Sequence, residues 1–389
     1  MRLNHRTVGQ IDSPIGTTYA LVDGRRDGVL DLAQAAPRYP PPPEVVDHIA
    51  AVARRSDGSG YVDIAGLPRL REAFAAEVRS AYDGRVDADH VVVTAGCNQA
   101  FCLVTSALAG PGDEVVLVLP YYFNHDMWLR MNGVVPVYLE AGPGQVPTAE
   151  QAGRVITPRT RAIVLVSPGN PSGVTADPAA IVELYRLAAR HDVALVLDET
   201  YRVFRDTDGP AHPLFADPDW PRTLVSLHSF SKEFAIPGYR VGAVVGSTDL
   251  NREVTKLLDC VAICAPRIGQ EAAWAGLTMA REWRRARALE VAGKRRWFTE
   301  AMERRPGGFE LVSVGGFFGW VRHPFVGRPT ADVVRDLVDR CDALVIPGTA
   351  FMPGDHRMLR VSVGNADRDT LFDFADRLSL LSRDGTAPS

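Results

Sequence analysis

Residues 226–246, SLHSFSKEFAIPGYRVGAVVG, set Ser229, Ser231 and Lys232 directly after one apolar run and Arg240 at a turn leading into another. Two hydroxyls, an ammonium and a guanidinium in so short a span are the donors a phosphate needs. Lys232 also lies beside Phe230 and Phe234. Apolar surroundings disfavour its charged form, and a neutral amine condenses with an aldehyde. An aldehyde that carries a phosphate would satisfy both halves of the stretch. Taken alone, the same residues also fit a solvated lysine and arginine at a helix end.

Outward from this stretch, short β-branched runs alternate with amphipathic stretches of helical length: HVVVTAG, DEVVLVLP, RAIVLVSP, VALVLDE, TLVSLHS and VGAVVGS. Near-continuous apolar strands separated by helices indicate a parallel sheet covered on both faces. The pattern predicts a large α/β domain over residues 46–283. Before it, residues 1–45 read as an arm and connecting segment, because PRYPPPPEV (37–45) favours extended polyproline backbone. After it, a helical pattern from about 267 to 304 leads into GGFFGWVRH, ALVIPG and MLRVSVG, which predict a smaller α+β domain over 284–389.

At 389 residues the chain has room for two such domains, and 46% apolar with 23% charged residues is ordinary for a globular protein. A net charge of -4 provides no electrostatic footprint for nucleic acid. The basic cluster REWRRARALEVAGKRRW (281–297) reads as the solvated face of a long helix. No apolar run is long enough for a membrane span, and the N-terminus lacks a signal-peptide core, so a cytoplasmic protein is expected. Five cysteines without a CxxC pair predict neither a disulfide framework nor zinc, and a buried helix face accounts for Cys260 and Cys264. The histidines show no metal-ligand spacing.

Ligands of open parallel sheets sit beyond the carboxyl ends of the strands. The segments there are TAGCNQA, PYYFNH, SPGNPSG, DETY and HSFSK. A helix opening at Gly96, Cys97 and Asn98 offers backbone N–H groups to an anion opposite Ser229, Ser231 and Arg240. Asp198 ends a strand so apolar that its carboxylate requires a cationic or donor partner. A protonated pyridine nitrogen is one such partner, and pyridoxal 5'-phosphate (PLP) combines that nitrogen with an aldehyde and a phosphate. Tyr201 and Asn170 could donate toward its ring oxygen, although Asn170 also fits a turn. Tyr122 could stack on the ring or be a core aromatic. His125 reads as a loop or supporting histidine.

On these residues the chain resembles fold type I PLP enzymes of the class I/II aminotransferase family, from about residue 31 to 380. NPSG, DETY and SFSKEFAIPGYRVG carry the resemblance most specifically. It implies an aspartate aminotransferase-like fold, with a mainly parallel seven-stranded sheet in the large domain. It implies Lys232 as the Schiff-base lysine, Asp198 as the partner of the ring nitrogen, and Asn170 and Tyr201 at the ring oxygen. Tyr122 becomes the stacking ring, while Ser229, Ser231, Arg240 and residues 96–98 form the phosphate cup. Tyr61 corresponds to a tyrosine that reaches the neighbouring subunit's phosphate, which implies a homodimer. Arg360 corresponds to the arginine that clamps the substrate α-carboxylate. Ala35, in LAQAAPRYP, stands where the family usually has a glycine close to the substrate. The implied reaction moves an amino group between an α-amino acid and a keto acid, in amino acid metabolism. The same constellation also supports a β-eliminating C–S lyase, an oxidase or a synthase, including enzymes of specialised metabolism. Phe123, Tyr121, Phe317, Phe318 and Trp320 hint at a bulky substrate. A non-catalytic PLP domain of a transcription regulator would need a DNA-binding domain, for which the Pro-rich first 45 residues are too short.

Overall fold

The computed structural model describes residues 1–22, 24, 27–142 and 146–383. Residues 384–389, counted above with the smaller domain, lie outside the described residues. A short strand, β1 (Leu30–Asp31), precedes the main sheet. The six apolar runs form β2 (Val91–Thr94), β3 (Glu114–Val118), β5 (Thr160–Val166), β6 (Ala194–Asp198), β7 (Leu224–Ser229) and β8 (Gly242–Val245). A seventh strand, β4 (Val135–Leu139), completes the sheet in the order β2-β8-β7-β6-β5-β3-β4. Only β8 runs against its neighbours. β4 was not among the apolar runs because it is an edge strand: it contains Pro136, and Val135 is exposed. An edge position is where proline is tolerated.

Side chains alternate strictly across this sheet. Val91, Val93, Ile163, Leu165, Leu195 and Leu197 enter one apolar core, whereas Val92, Ala162, Val164 and Val196 enter the opposite one. Both faces are therefore dry, and burial of each Val or Leu contributes about 1.5–3 kcal/mol. The helices that cover them follow the expected stripe. Pro178–Arg190 starts at Asp177, whose side chain accepts from the Ala179 N–H, and buries Ile181, Leu184, Tyr185 and Ala188.

The predicted helix from 267 to 304 is two helices, Arg267–Met279 and Arg281–Glu303, interrupted at buried Ala280 with φ -115° and ψ 30°. The second helix packs on a smaller antiparallel sheet made of β9 (Glu310–Gly315), β10 (Phe318–Arg322), β12 (Ile346–Pro347) and β13 (Met358–Ser362), in the order β12-β13-β10-β9. The remaining short strand, β11 (Ala343–Leu344), pairs in parallel with β1 of the arm. The arm continues past this pairing: Ser362 N–H donates to Leu32 O at 2.7 Å, and Leu32 enters the core of the smaller sheet.

Two sequence expectations need correction. Cys260 is exposed, and the helix that carries it, Thr248–Ala262, ends before Cys264, so no buried helix face joins them. The basic cluster is not uniformly solvated either: Lys294 and Arg295 are buried, and Arg284 is largely so.

The segment 169–173, after β5, touches the smaller sheet through glycine. Gly173 has φ +74°, and a Cβ there would collide with the backbone of Gly315. Gly173→Ala is therefore expected to lower unfolding stability by at least about 2 kcal/mol, combining left-handed strain with a collision that backbone must relieve. Urea denaturation checks this, with Gly209→Ala, also at positive φ but in open space, as the control for strain alone.

Candidate active site

The carboxyl ends of β2, β5, β6 and β7 converge on a cavity of about 200 Å³. Ala35, Cys97, Asn98, Tyr122, Asn170, Asp198, Tyr201, Ser229, Ser231, Lys232, Arg240 and Arg360 all line it, as the sequence led us to expect. Gly96 stands just behind. Its φ is +87°, and a Cβ on it would lie 2.6 Å from Arg240 Nη2, so only glycine lets the guanidinium lie against this turn. Tyr61 is not in the cavity. It is 78% exposed on the surface of the single chain.

Asp198 is buried at the end of β6. Burial works to raise its pKa, but the carboxyl is held below the ordinary range by His125 and Thr200. His125 Nε2 lies 3.5 Å from Oδ2, while the Thr200 N–H donates to Oδ1 at 3.0 Å and Cys97 Sγ approaches it at 3.5 Å. His125 is itself clamped by stacking on Phe101, with centroids 3.8 Å apart. The anion is thus stabilised on its protein side while its other side meets the cavity.

Lys232 is carried on the short helix Phe230–Glu233, whose Phe230 ring stacks with that of Phe234 in the apolar core while Lys232 lines the cavity. Burial, then the positive charges of Arg240 and Arg360, bring its pKa from 10.5 down to about 8. Ser229 Oγ accepts from the Ser231 N–H at 3.2 Å, which closes the turn beside the cavity. Arg240 is positioned by donating Nη1–H to Pro237 O at 2.8 Å.

Arg360, on β13, is 2% exposed. It donates from Nη1 to Asn170 Oδ1 at 3.0 Å and from Nη2 to Ala33 O, and its guanidinium lies near the Phe318 and Phe351 rings. Among the described residues no carboxylate pairs with it, and its Nε has no partner. Burial lowers its pKa to about 10. A buried cation without a counter-ion is costly unless something in the cavity neutralises it. A carboxylate offers two oxygens in the geometry of the guanidinium fork.

These features also fit PLP. Asp198 suits a protonated ring nitrogen, Tyr201 and the Asn170 amide suit the ring oxygen, and Arg240 with Ser229, Ser231 and the 96–98 turn suits a phosphate.

The description "Aminotransferase class I and II" matches residues 27–378. The chain belongs to that family. It is 31% identical to an aromatic aminotransferase of Arabidopsis thaliana, over 93% of this chain and 91% of that protein. It is 32% identical to a probable aspartate/prephenate aminotransferase of Thermus aquaticus, over 87% and 89% of the two chains. Its fold superposes on an aspartate aminotransferase of Thermus thermophilus with a TM-score of 0.88 at 27% identity, covering 98% of this chain and all of the other. The aspartate aminotransferase-like fold is thereby established, and the family implies PLP as cofactor.

Several lining residues escaped the sequence reading. Thr200 lies inside DETY and was legible as a neighbour of Asp198, whereas Ile15, Gln34 and Val166 gave no signal. Ile15 and Gln34 reach the cavity only because the arm folds back. Of the five aromatics taken as hints of a bulky substrate, Phe123 alone lines this cavity. Phe317 and Phe318 pack against Tyr201, Tyr121 stacks on Tyr138, and Trp320 packs edge-on to Phe351.

An amine with a lowered pKa is neutral over a wider range. In cofactor-free protein, acylation of Lys232 followed by peptide mapping should therefore rise through a midpoint near pH 8.

Proposed function

We propose that this chain is a PLP-dependent aminotransferase that moves an amino group between an α-amino acid and a keto acid, acting as a cytoplasmic homodimer. One observation carries the reading: a buried arginine without a carboxylate partner among the described residues opens on the same cavity as a half-buried, readily deprotonated lysine and a buried, ionised aspartate. Relatives named for amino transfer support it further, and they give no preference to the eliminating or oxidising alternatives. Among the described residues no helix is long and apolar enough to cross a membrane.

When bound, PLP supplies an electron sink for the carbanion left by loss of the substrate α-proton. The chain supplies the rest. Arg360 binds the α-carboxylate bidentately and orients the Cα–H bond, with Asn170 fixing one arm of the fork and Ala35 forming the wall beside it. Lys232 Nζ, more readily deprotonated than an ordinary lysine, takes the proton from substrate Cα and holds it for return. Asp198 pairs with the ring nitrogen, and Tyr201 and Asn170 donate to the ring oxygen. Tyr122 packs on the ring face. Gly96, Cys97, Asn98, Ser229, Ser231 and Arg240 hold the phosphate. In this reading residues 1–45 are the arm, 46–283 the cofactor-binding domain and 284–389 the smaller domain. The arm supplies Ala33 O to Arg360 and so ties the carboxylate site to the domain that carries it.

Single-turnover absorbance tests the reaction. With a good amino donor and no acceptor, amino transfer depletes the visible absorbance of the bound cofactor stoichiometrically. Sustained ammonia release with unchanged absorbance would mean elimination or oxidation instead. Arg360→Lys keeps the charge but loses the fork, and should lower kcat/KM by about 10- to 100-fold. Bleaching insensitive to that substitution would mean an amine donor without an α-carboxylate.

Tyr61, exposed on a single chain, is proposed to reach the phosphate of a second copy. Mixed dimers of Tyr61→Phe and Lys232→Ala chains then contain one site with both lesions and one with neither. They should show roughly half the activity of a wild-type dimer. Activity no higher than in the two parent variants would refute the shared site.

A further inference from the structure

The helix that bears Lys232 has only four residues, too few to hold itself by its own hydrogen bonds. What anchors it lies outside the cavity. Glu233, next in sequence, is 3% exposed, and its carboxylate meets Arg284 Nη1 and, at 3.6 Å, Arg202. Both arginines turn to a second carboxylate: Arg284 lies 2.9 Å and Arg202 3.3 Å from Glu77 Oε1. The four side chains close a ring of two cations and two anions, none more than 16% exposed. Each member comes from a different element. Glu77 lies on the helix Pro68–Tyr82, Arg202 on the turn that follows Asp198 and Tyr201, Glu233 on the Lys232 helix, and Arg284 on the first turn of Arg281–Glu303.

Burial works to raise the Glu77 carboxyl, but Arg202 and Arg284 outweigh it and hold it below the ordinary range. Arg202 is held fully charged by Glu233, Tyr82 and Glu77 despite its burial. Buried ion pairs add little stability compared with apolar packing, so this ring calls for another role. Its placement suggests one. Arg284 also lies 6.0 Å from the ring of Phe234, the residue that caps the Lys232 helix. The helix that carries Arg284 continues to Phe298, Ala301 and Met302 in the core of the Arg360 sheet.

We propose that the ring Glu77–Arg202–Glu233–Arg284 positions Lys232 for proton transfer, fixing its helix relative to both the Asp198 strand end and the helix that leads to the carboxylate-binding sheet. The proposal rests on the aminotransferase reading for its reaction and on the ring alone for its geometry. These are positioning residues, and none of the four faces the substrate cavity except through Lys232.

Arg284→Gln, alone and combined with Glu77→Gln, tests it. Arg284→Gln leaves Arg202 to serve two carboxylates and loosens Glu233. The first-turnover rate of absorbance loss should fall about tenfold or more, while the donor concentration for half-maximal rate stays within about twofold because Arg360 is untouched. In cofactor-free protein the pH midpoint of Lys232 acylation should rise, since removing a cation leaves net negative charge beside the helix. The other groups around Lys232 in its cavity, Arg240, Arg360, Asp198, Cys97, Tyr122 and Tyr201, are the same in every variant. The double variant keeps one pair, Arg202 with Glu233, and should recover the midpoint, because charge balance returns, while the rate stays low, because the tie to the Arg281–Glu303 helix is still missing. An unchanged rate and midpoint in Arg284→Gln, even with a lower Tm, would overturn the proposal. So would a folded double variant whose midpoint stays raised or whose rate returns to that of the wild type. If Arg284→Gln does not fold, Arg284→Lys, which keeps the charge but loses the fork, is scored on the rate alone, and an unchanged rate would overturn the proposal. A wild-type holoenzyme that loses no absorbance with any donor would refute the aminotransferase reading instead, and the acylation midpoint would still test the ring.

Discussion

An ionised carboxylate at the dry end of an apolar strand is the constraint around which the site is arranged. β6 is buried almost throughout and ends in Asp198. Keeping that anion charged takes the Thr200 N–H, the Cys97 thiol and the His125 ring, the last brought in by the helix Phe123–Met131 and held by Phe101. Alternation sends the next residue, Glu199, to the other face, where Tyr82 OH donates to it at 2.5 Å and Ser226 Oγ also bonds it. Two consecutive acids thus anchor opposite faces of one sheet, and only the first opens on the cavity.

The cationic side of the cavity is organised by contrast rather than by pairing. Arg240 and Arg360 lie near enough to Lys232 to oppose its protonation, and burial works in the same direction. Neither arginine is paired with a carboxylate among the described residues. The cavity therefore combines a readily deprotonated amine with two fixed cations, which suits a phosphate at one end and a carboxylate at the other. Amino transfer needs that separation, because the base must be uncharged where the anchors must not be.

The ring beneath Lys232 follows a similar principle at a distance from the chemistry. Four charges that cancel one another leave the field in the cavity to Asp198, Arg240 and Arg360 while restraining the backbone that carries the base. The break at Ala280 starts a fresh helix whose first turn supplies Arg284. A basic cluster that looks solvated in one dimension is thereby divided between an anchor, buried side chains and surface charges.

Much of this was legible in one dimension because its signals are local. β-Branched runs with period two or buried on both faces specified six of the seven main strands, and the polar residues just beyond each strand marked Asp198, Lys232, Arg240, Asn170 and Tyr201 as neighbours in a parallel sheet. The edge strand β4 was not legible, since partial exposure and Pro136 erase the apolar run. Ile15 and Gln34 were not legible because their approach depends on the arm folding back onto the smaller sheet, a long-range contact with no local pattern. Arg284 looked like any surface arginine on a helix. By itself, the amino-acid sequence determined the strands of the main sheet other than β4, and which residues stand at their ends, through the periodicity of apolar burial. Only the tertiary structure decided which charges are left unpaired at Arg360 and which are cancelled around Glu233, because desolvation and ion pairing depend on distances across the fold.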